Sequence, residues 1–266
     1  MDIKLIAADM DGTLLNSRQE LPPGFLDTIR KLHQRGIYFA AASGRQFINL
    51  QKVFADVADE MVFIAENGSL VAKGRQVIFT LPVPEHKLED IYNTADAIPG
   101  TTVLLCGTKA AYLKHPNAMA DEHSARYYTS RVFSEDPLRT VKEHGDSIIK
   151  VAIFHEEDGA LCREPMDKFS AELKLTLAAK NWLDVSHPDV NKGTAMSFLL
   201  KDFGLTPENC MAFGDYPNDT ELLNSVYYSY AMANAVQSIK DIARFEAPSN
   251  DDFGVAQVIR QHFPEL

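Results

Sequence analysis

The 266-residue chain is poor in the residues that would build a disulfide scaffold, a zinc centre or a membrane anchor. Its three cysteines, Cys106, Cys162 and Cys210, are widely spaced and form no CxxC pair, which indicates neither a disulfide framework nor a structural zinc site. The eight histidines include no HxxxH or HExxH pairing, so a histidine metal centre is not expected. No apolar run approaches the roughly 18 residues that a membrane span needs. Acidic residues enter from Asp2 onward, unlike a secretory leader. Basic charge is scarce too: Lys plus Arg is 26 against 37 for Asp plus Glu, a net charge of −11. A nucleic-acid binder usually carries a basic excess or stripe, and none is present. NGS at Asn67 and NDT at Asn218 match the glycosylation pattern but carry little weight without a leader. The expectation is a reduced, cytoplasmic protein with no nucleic-acid or membrane partner and no legible oligomeric signal.

What the chain does have is a rhythm. Short apolar runs alternate with helical patterns, the signature of a parallel sheet with crossover helices. The spacing predicts strands over 5–8, 37–42 and 61–65, with helices over 24–35 and 46–58 between them. Asn67-Gly68 and Lys73-Gly74 read as tight turns, giving antiparallel strands over 69–71 and 76–81. Pro82-Val83-Pro84 breaks this pattern. The next hundred residues predict helices near 85–97, 116–126, 136–145 and 159–172, and strands over 102–106, 110–113, 148–154, 175–180 and 182–186. That order is less regular, as an α+β insertion would be. A helix from about 192 and strands over 210–213 and 229–232 restore the first rhythm, with helices near 218–225, 236–243 and 253–262. The fold class expected is α/β: a Rossmann-like doubly wound core, 1–81 with 188–266, carrying an inserted domain over 82–187.

Open parallel sheets place ligands at the carboxyl ends of their strands, so the residues after each core strand matter most. They are Asp9-Met10-Asp11-Gly12-Thr13, Ser43-Gly44-Arg45 and Gly214-Asp215-Tyr216-Pro217-Asn218-Asp219, with Asn191-Lys192-Gly193 before the returning helix. Each has a dull reading alone. DG is a common hairpin turn, SGR a polar loop, a lysine at a helix start usually solvated, and Asp219 could cap the helix near 218. Thr13 reads as a stabiliser of its turn. Arg45 fits a substrate contact or an ion pair equally well. Two acids one residue apart at the end of a buried strand repel each other unless a cation sits between them. Combined with a hydroxyl, a lysine and a further acid pair, they form a phosphoryl-transfer set.

In this order the four motifs resemble those of the haloacid dehalogenase (HAD) superfamily, and the insertion of about a hundred residues resembles the C2-type cap of its Cof-type branch, subfamily IIB. Glu66-Asn67-Gly68 and the stretch around 184–196 are similar to that branch as well. Tyr216 stands where the branch often has glycine. The resemblance implies a Mg²⁺-dependent phosphatase of small phosphorylated metabolites, such as sugar phosphates. It implies that Asp9 is the nucleophile forming an aspartyl-phosphate, and that Asp11 is the acid–base. It implies Mg²⁺ on Asp9, Asp11 (through its backbone carbonyl) and Asp215, with Asp219 in support. The phosphoryl oxygens would be held by Ser43, the Met10 and Gly44 amides, Lys192 and Asn218. His123, Arg126, Tyr127 and Tyr128 are candidate readers of the leaving group. A phosphomutase, a halide-displacing enzyme and an aspartyl-phosphate signalling module remain as alternatives. The second acid of DMDG speaks against a stored phosphoryl signal, and a halide leaves without needing a proton.

Overall fold

The computed structural model describes residues 2–266. The chain divides into two compact units, Met1–Phe79 with Asn191–Leu266, and Thr80–Val190. In chain order the first part of the core unit runs β1 (Leu5–Asp9), α1 (Phe25–Gln34), β2 (Tyr38–Ala42), α2 (Phe47–Val53), β3 (Met61–Ala65), β4 (Leu70–Lys73) and β5 (Gln76–Thr80). The inserted unit follows as α3 (Glu85–Asp96), β6 (Thr101–Gly107), β7 (Ala111–Leu113), α4 (Ala118–Tyr127), β8 (Arg131–Phe133), α5 (Pro137–His144), β9 (Ile148–His155), α6 (Arg163–Met166), β10 (Lys174–Ala179) and β11 (Trp182–Ser186). The core then resumes with α7 (Lys192–Asp202), β12 (Cys210–Gly214), α8 (Thr220–Asn224), β13 (Tyr228–Met232), α9 (Gln237–Lys240), β14 (Phe245–Ala247) and α10 (Gly254–His262).

The core sheet has eight strands in the order β14-β13-β12-β1-β2-β3-β4-β5. Its pairings from β14 across to β3 are parallel, and β4 returns antiparallel to β3. Strands β1, β3 and β12 are buried along their whole length, as expected of parallel strands covered on both faces. The chain leaves β1 toward β2 and β3 on one side and returns through β12, β13 and β14 on the other. That reversal puts the carboxyl ends of β1 and β12 at a topological switch point, where such sheets bind ligands. Leu5 pairs with Cys210 and Ala8 with Phe213, so Asp9 and the loop after Gly214 emerge side by side.

The inserted unit is α+β, with a six-stranded sheet in the order β10-β11-β9-β6-β7-β8. One cluster, including Ile91, Tyr92, Leu105, Tyr112, Val151 and Met166, forms its larger core. Leu104, Tyr128, Phe154 and Trp182 belong to a second cluster.

Three expected helices are shorter than their periodicity suggests, and that over 236–243 spans only Gln237–Lys240. The helix over 46–58 stops at Val53, and the chain tightens into three-residue turns in which Val57 N–H donates to Phe54 O and Glu60 N–H to Val57 O. The helix over 159–172 is broken into 3₁₀ and α pieces, since Pro165 has no N–H to continue the ladder. Strands β8 and β14 were not anticipated. Each has three residues, too few for a period-two pattern to register.

Candidate active site

Asp9 ends β1 and is buried, 6 % exposed. Lys192, the first residue of α7, is completely buried and places its ammonium 2.5 Å from Asp9 Oδ1 and 2.6 Å from Asp219 Oδ1. Asn191 caps that helix by accepting from Thr194 N–H at 2.7 Å, which fixes the angle at which Lys192 enters the cluster. Asp219 is fully engaged. Its second oxygen, Oδ2, accepts the backbone N–H groups of Asp215 at 3.0 Å and Tyr216 at 3.2 Å. It therefore folds its own loop and orients the lysine. Asp215 accepts from the Thr13 hydroxyl at 2.8 Å, so Thr13 does more than steady its turn: it ties the first acidic loop to the last.

Two carboxylates share one ammonium in a dry place, and the electrostatics follow. Burial pushes the Asp9 carboxyl up to about 8, with Lys192 opposing and Asp219 reinforcing the shift. Burial likewise raises Asp215, against the Thr13 hydrogen bond. Burial alone would depress Lys192, but Asp9 and Asp219 outweigh it and raise the ammonium, keeping it charged. With both carboxylates ionised, as a nucleophilic Asp9 must be, the cluster is one positive charge short.

Asp9, Asp215 and Asp219 each offer an oxygen within 4.8 Å of the others. A set of hard carboxylate oxygens suits a hard divalent cation rather than a soft one. Both Asp219 oxygens are committed to protein donors, which leaves Asp9 and Asp215 as the better ligands and Asp219 as their support. Gly12 makes the approach possible. It has φ +82°, and a Cβ there would lie 2.4 Å from Asp215 Oδ2.

Asp11 lies outside the buried cluster. Its carboxylate is gripped by the Arg45 guanidinium, with Nε to Oδ2 at 2.9 Å and Nη2 to Oδ1 at 2.5 Å. The same Nη2 also donates to Gln19 Oε1 at 2.5 Å. Of the two readings open for Arg45, the structure has the ion pair. Ser43 accepts Arg45 N–H at 3.1 Å, which leaves its hydroxyl hydrogen available. Met10 is buried within the first loop. Asn218 is exposed, and its amide donates to Asn67 Oδ1 at 3.1 Å.

The sequence reading missed the residues that hold the first loop in place. Asn234 donates to Gly12 O at 2.7 Å, and Asn250 donates to Leu15 O at 2.9 Å. Asn250 N–H in turn donates to Asn234 Oδ1 at 3.1 Å. The signal available was faint: asparagines in the polar turns after β13 and β14. Tyr216 is 61 % exposed. In the inserted unit His123 packs against Phe154, and Arg126 pairs with Glu122.

A buried lysine thus sits between two aspartates at the switch point of a doubly wound sheet, with further acids on neighbouring loops. The chain belongs to the haloacid dehalogenase-like hydrolases, whose family model matches residues 6–259. Within that family it is a phosphatase, as its relatives are. A 5-amino-6-(5-phospho-D-ribitylamino)uracil phosphatase of Escherichia coli is 28 % identical over 97 % of this chain and 96 % of its own. An HMP-PP phosphatase of Serratia proteamaculans is 27 % identical over 90 % of this chain and 87 % of its own. The solved structure of the phosphatase BT1666 from Bacteroides thetaiotaomicron shares the fold, with a TM-score of 0.78 at 21 % identity over 99 % of this chain and 96 % of that one. No helix among the described residues is long and apolar enough to cross a membrane.

Proposed function

We propose that the protein is a Mg²⁺-dependent phosphatase that hydrolyses small phosphomonoesters through an aspartyl-phosphate on Asp9. The observation that carries this reading is the buried Asp9–Lys192–Asp219 triad, with its surplus of negative charge. Asp9, Asp215 and the Asp11 carbonyl would hold the cation, with Asp219 behind them. When bound, Mg²⁺ supplies charge that offsets the carboxylates and the phosphoryl oxygens.

Asp9 then attacks phosphorus as an ionised nucleophile, held in place by Lys192. Phosphoryl transfer asks the protein mainly for positioning and charge stabilisation. Lys192, the Ser43 hydroxyl, the Met10 and Gly44 amides and the Asn218 amide supply both. Asp11 protonates the leaving oxygen and afterwards takes a proton from the hydrolytic water. A carboxylate held in a guanidinium fork only accepts hydrogen bonds, so Asp11 must first leave Arg45. Its side chain is 49 % exposed and has room to turn.

The inserted unit fits the reading of a C2-type cap that selects the leaving group. Since relatives act on a phosphorylated ribitylamino-uracil and on HMP-PP, we infer that the substrate is a small metabolite with a phosphate on a polar or heterocyclic body. An acidic protein is a poor host for polyanionic polymers. The test is phosphate release from a panel of phosphorylated metabolites, with Mg²⁺ and with EDTA. Metal-dependent release is expected. Release that ignores EDTA would remove the metal from the reading, and no release from any ester would turn it toward transfer between sugars.

A further inference from the structure

Three consecutive residues between β3 and β4 have left-handed backbone: Glu66 at φ 49°, Asn67 at φ 54° and Gly68 at φ 98°. Two of these are not glycine, and such conformations persist only where the surroundings impose them. The surroundings are the motif loops themselves. Glu66 N–H donates to Arg45 O at 3.1 Å, and Asn67 N–H to Ser43 O at 3.0 Å. On the other flank a Cβ at Gly68 would lie 2.2 Å from Asn191 O and 3.2 Å from Lys192 N. The Asn67 side chain reaches a third loop, where its Oδ1 accepts from Asn218 Nδ2 at 3.1 Å. Its Nδ2 lies 3.0 Å from where a Cβ at Gly44 would stand. One three-residue turn therefore touches the serine loop, the start of the lysine helix and the acidic loop.

We propose that Asn67 is a positioning residue of the phosphoryl site, and this rests on the phosphatase reading above. Its carbonyl oxygen holds one hydrogen of the Asn218 amide, which turns the other toward a phosphoryl oxygen. Its amide fills the space where a side chain at Gly44 would stand, and so holds the Gly44 backbone from that side. The left-handed backbone is what lets a single residue reach both loops, and asparagine is the non-glycine residue that tolerates it best.

The test is Asn67→Gly, which accepts the same backbone and deletes only the amide, alongside Asn67→Asp, Asn218→Ala and the double variant Asn67→Gly/Asn218→Ala. Each is assayed for kcat and KM on the best ester of the panel, for binding of inorganic phosphate by calorimetry, and for Tm. Expected for Asn67→Gly is an unchanged Tm, with KM and the phosphate dissociation constant each raised about tenfold, the usual worth of a hydrogen bond to a charged group. In the double variant Asn67→Gly should add little to Asn218→Ala, since both remove one arrangement. Asn67→Asp keeps the acceptor but brings negative charge, and should weaken phosphate more than Asn67→Gly does.

Phosphate binding and KM within twofold of wild type in Asn67→Gly would overturn the proposal, as would effects that simply add in the double variant. A fall in Tm with phosphate binding intact would reduce Asn67 to a structural turn residue and overturn it too. Wild-type protein that neither releases nor binds phosphate would overturn the phosphatase reading itself, and the proposal with it.

Discussion

The two units handle their acidic side chains in opposite ways. The core buries Asp9, Lys192 and Asp219 together and leaves their charges unbalanced. The inserted unit seats Asp146 so that its oxygens accept hydrogen bonds from the backbone N–H groups of Thr108, Lys109, Ala110 and Ser147, and from the hydroxyls of Thr108 and Tyr112. Asp146 is half-buried where Asp9 and Asp219 are buried, and its hydrogen-bonding capacity is met by the protein. Asp146 closes a loop and has nothing left to offer a ligand. The core cluster costs stability and keeps that cost as capacity to bind a cation and a phosphoryl group.

Substitutions should separate the two. The largest effect is expected for Asp9→Asn, which should lower turnover by about 10⁴- to 10⁶-fold, the range seen when a covalent nucleophile is removed. The midpoint of urea unfolding should be unchanged or raised, because one of two carboxylates competing for Lys192 is gone. A variant that unfolds early would mean that Asp9 is structural.

Lys192→Met comes next. It leaves two buried acids with no counter-charge, at a cost of about 3–5 kcal/mol by the usual penalty for breaking a buried pair. Urea unfolding at neutral pH measures the loss, and it should shrink in acid as the carboxyls take protons. A loss independent of pH would point to packing rather than charge.

Asp146→Ala is the counterpart in the inserted unit. Unpairing the donors of the buried residues Ala110 and Tyr112 costs roughly 1–3 kcal/mol. A thermal melt should record this, while the folded protein should turn over a minimal aryl phosphate as the wild type does. Lost turnover at full folding would give Asp146 a role beyond holding its loop.

The smallest effect concerns pH. Burial raises Asp9 in the metal-free protein from 3.8 to about 8, so the folded state favours the protonated acid. The stability this contributes is present below the ordinary value and is lost as pH rises through about 8. A cation competes with that proton. Calorimetric affinity for Mg²⁺ should therefore climb with pH, by up to about tenfold per unit, and level off above the raised value. An affinity flat across that window would mean that Asp9 is ionised before the metal arrives.

Much of this was legible from residue order alone. The strands ending at Asp9, Ala42 and Gly214 are apolar runs followed at once by polar, glycine-containing loops, and such junctions mark a parallel sheet and its ligand edge together. Asp9 and Asp215 are singled out this way and Lys192 by its place before the returning helix, and the structure brings the three together. What stayed hidden were contacts between loops distant in sequence. Arg45 could have met substrate or an acid, and only the folded chain puts it on Asp11, 34 residues away. Asn234 and Asn250 hold the first loop from the far end of the chain, and an asparagine in a turn looks the same whether or not it does this. The broken helix around Pro165 was readable from the proline, but the regular apolar spacing around it argued the other way.

The most direct measurement is to quench wild-type protein in acid during turnover, reduce it with borohydride and map the peptides by mass spectrometry. An acyl phosphate on an aspartate is reduced to homoserine, so the phosphorylated residue is written into the chain. Homoserine at position 9 and at no other acid is the predicted result. Phosphate release without any modification of Asp9, or with the mark on another carboxylate, would contradict the assignment of Asp9 as the nucleophile.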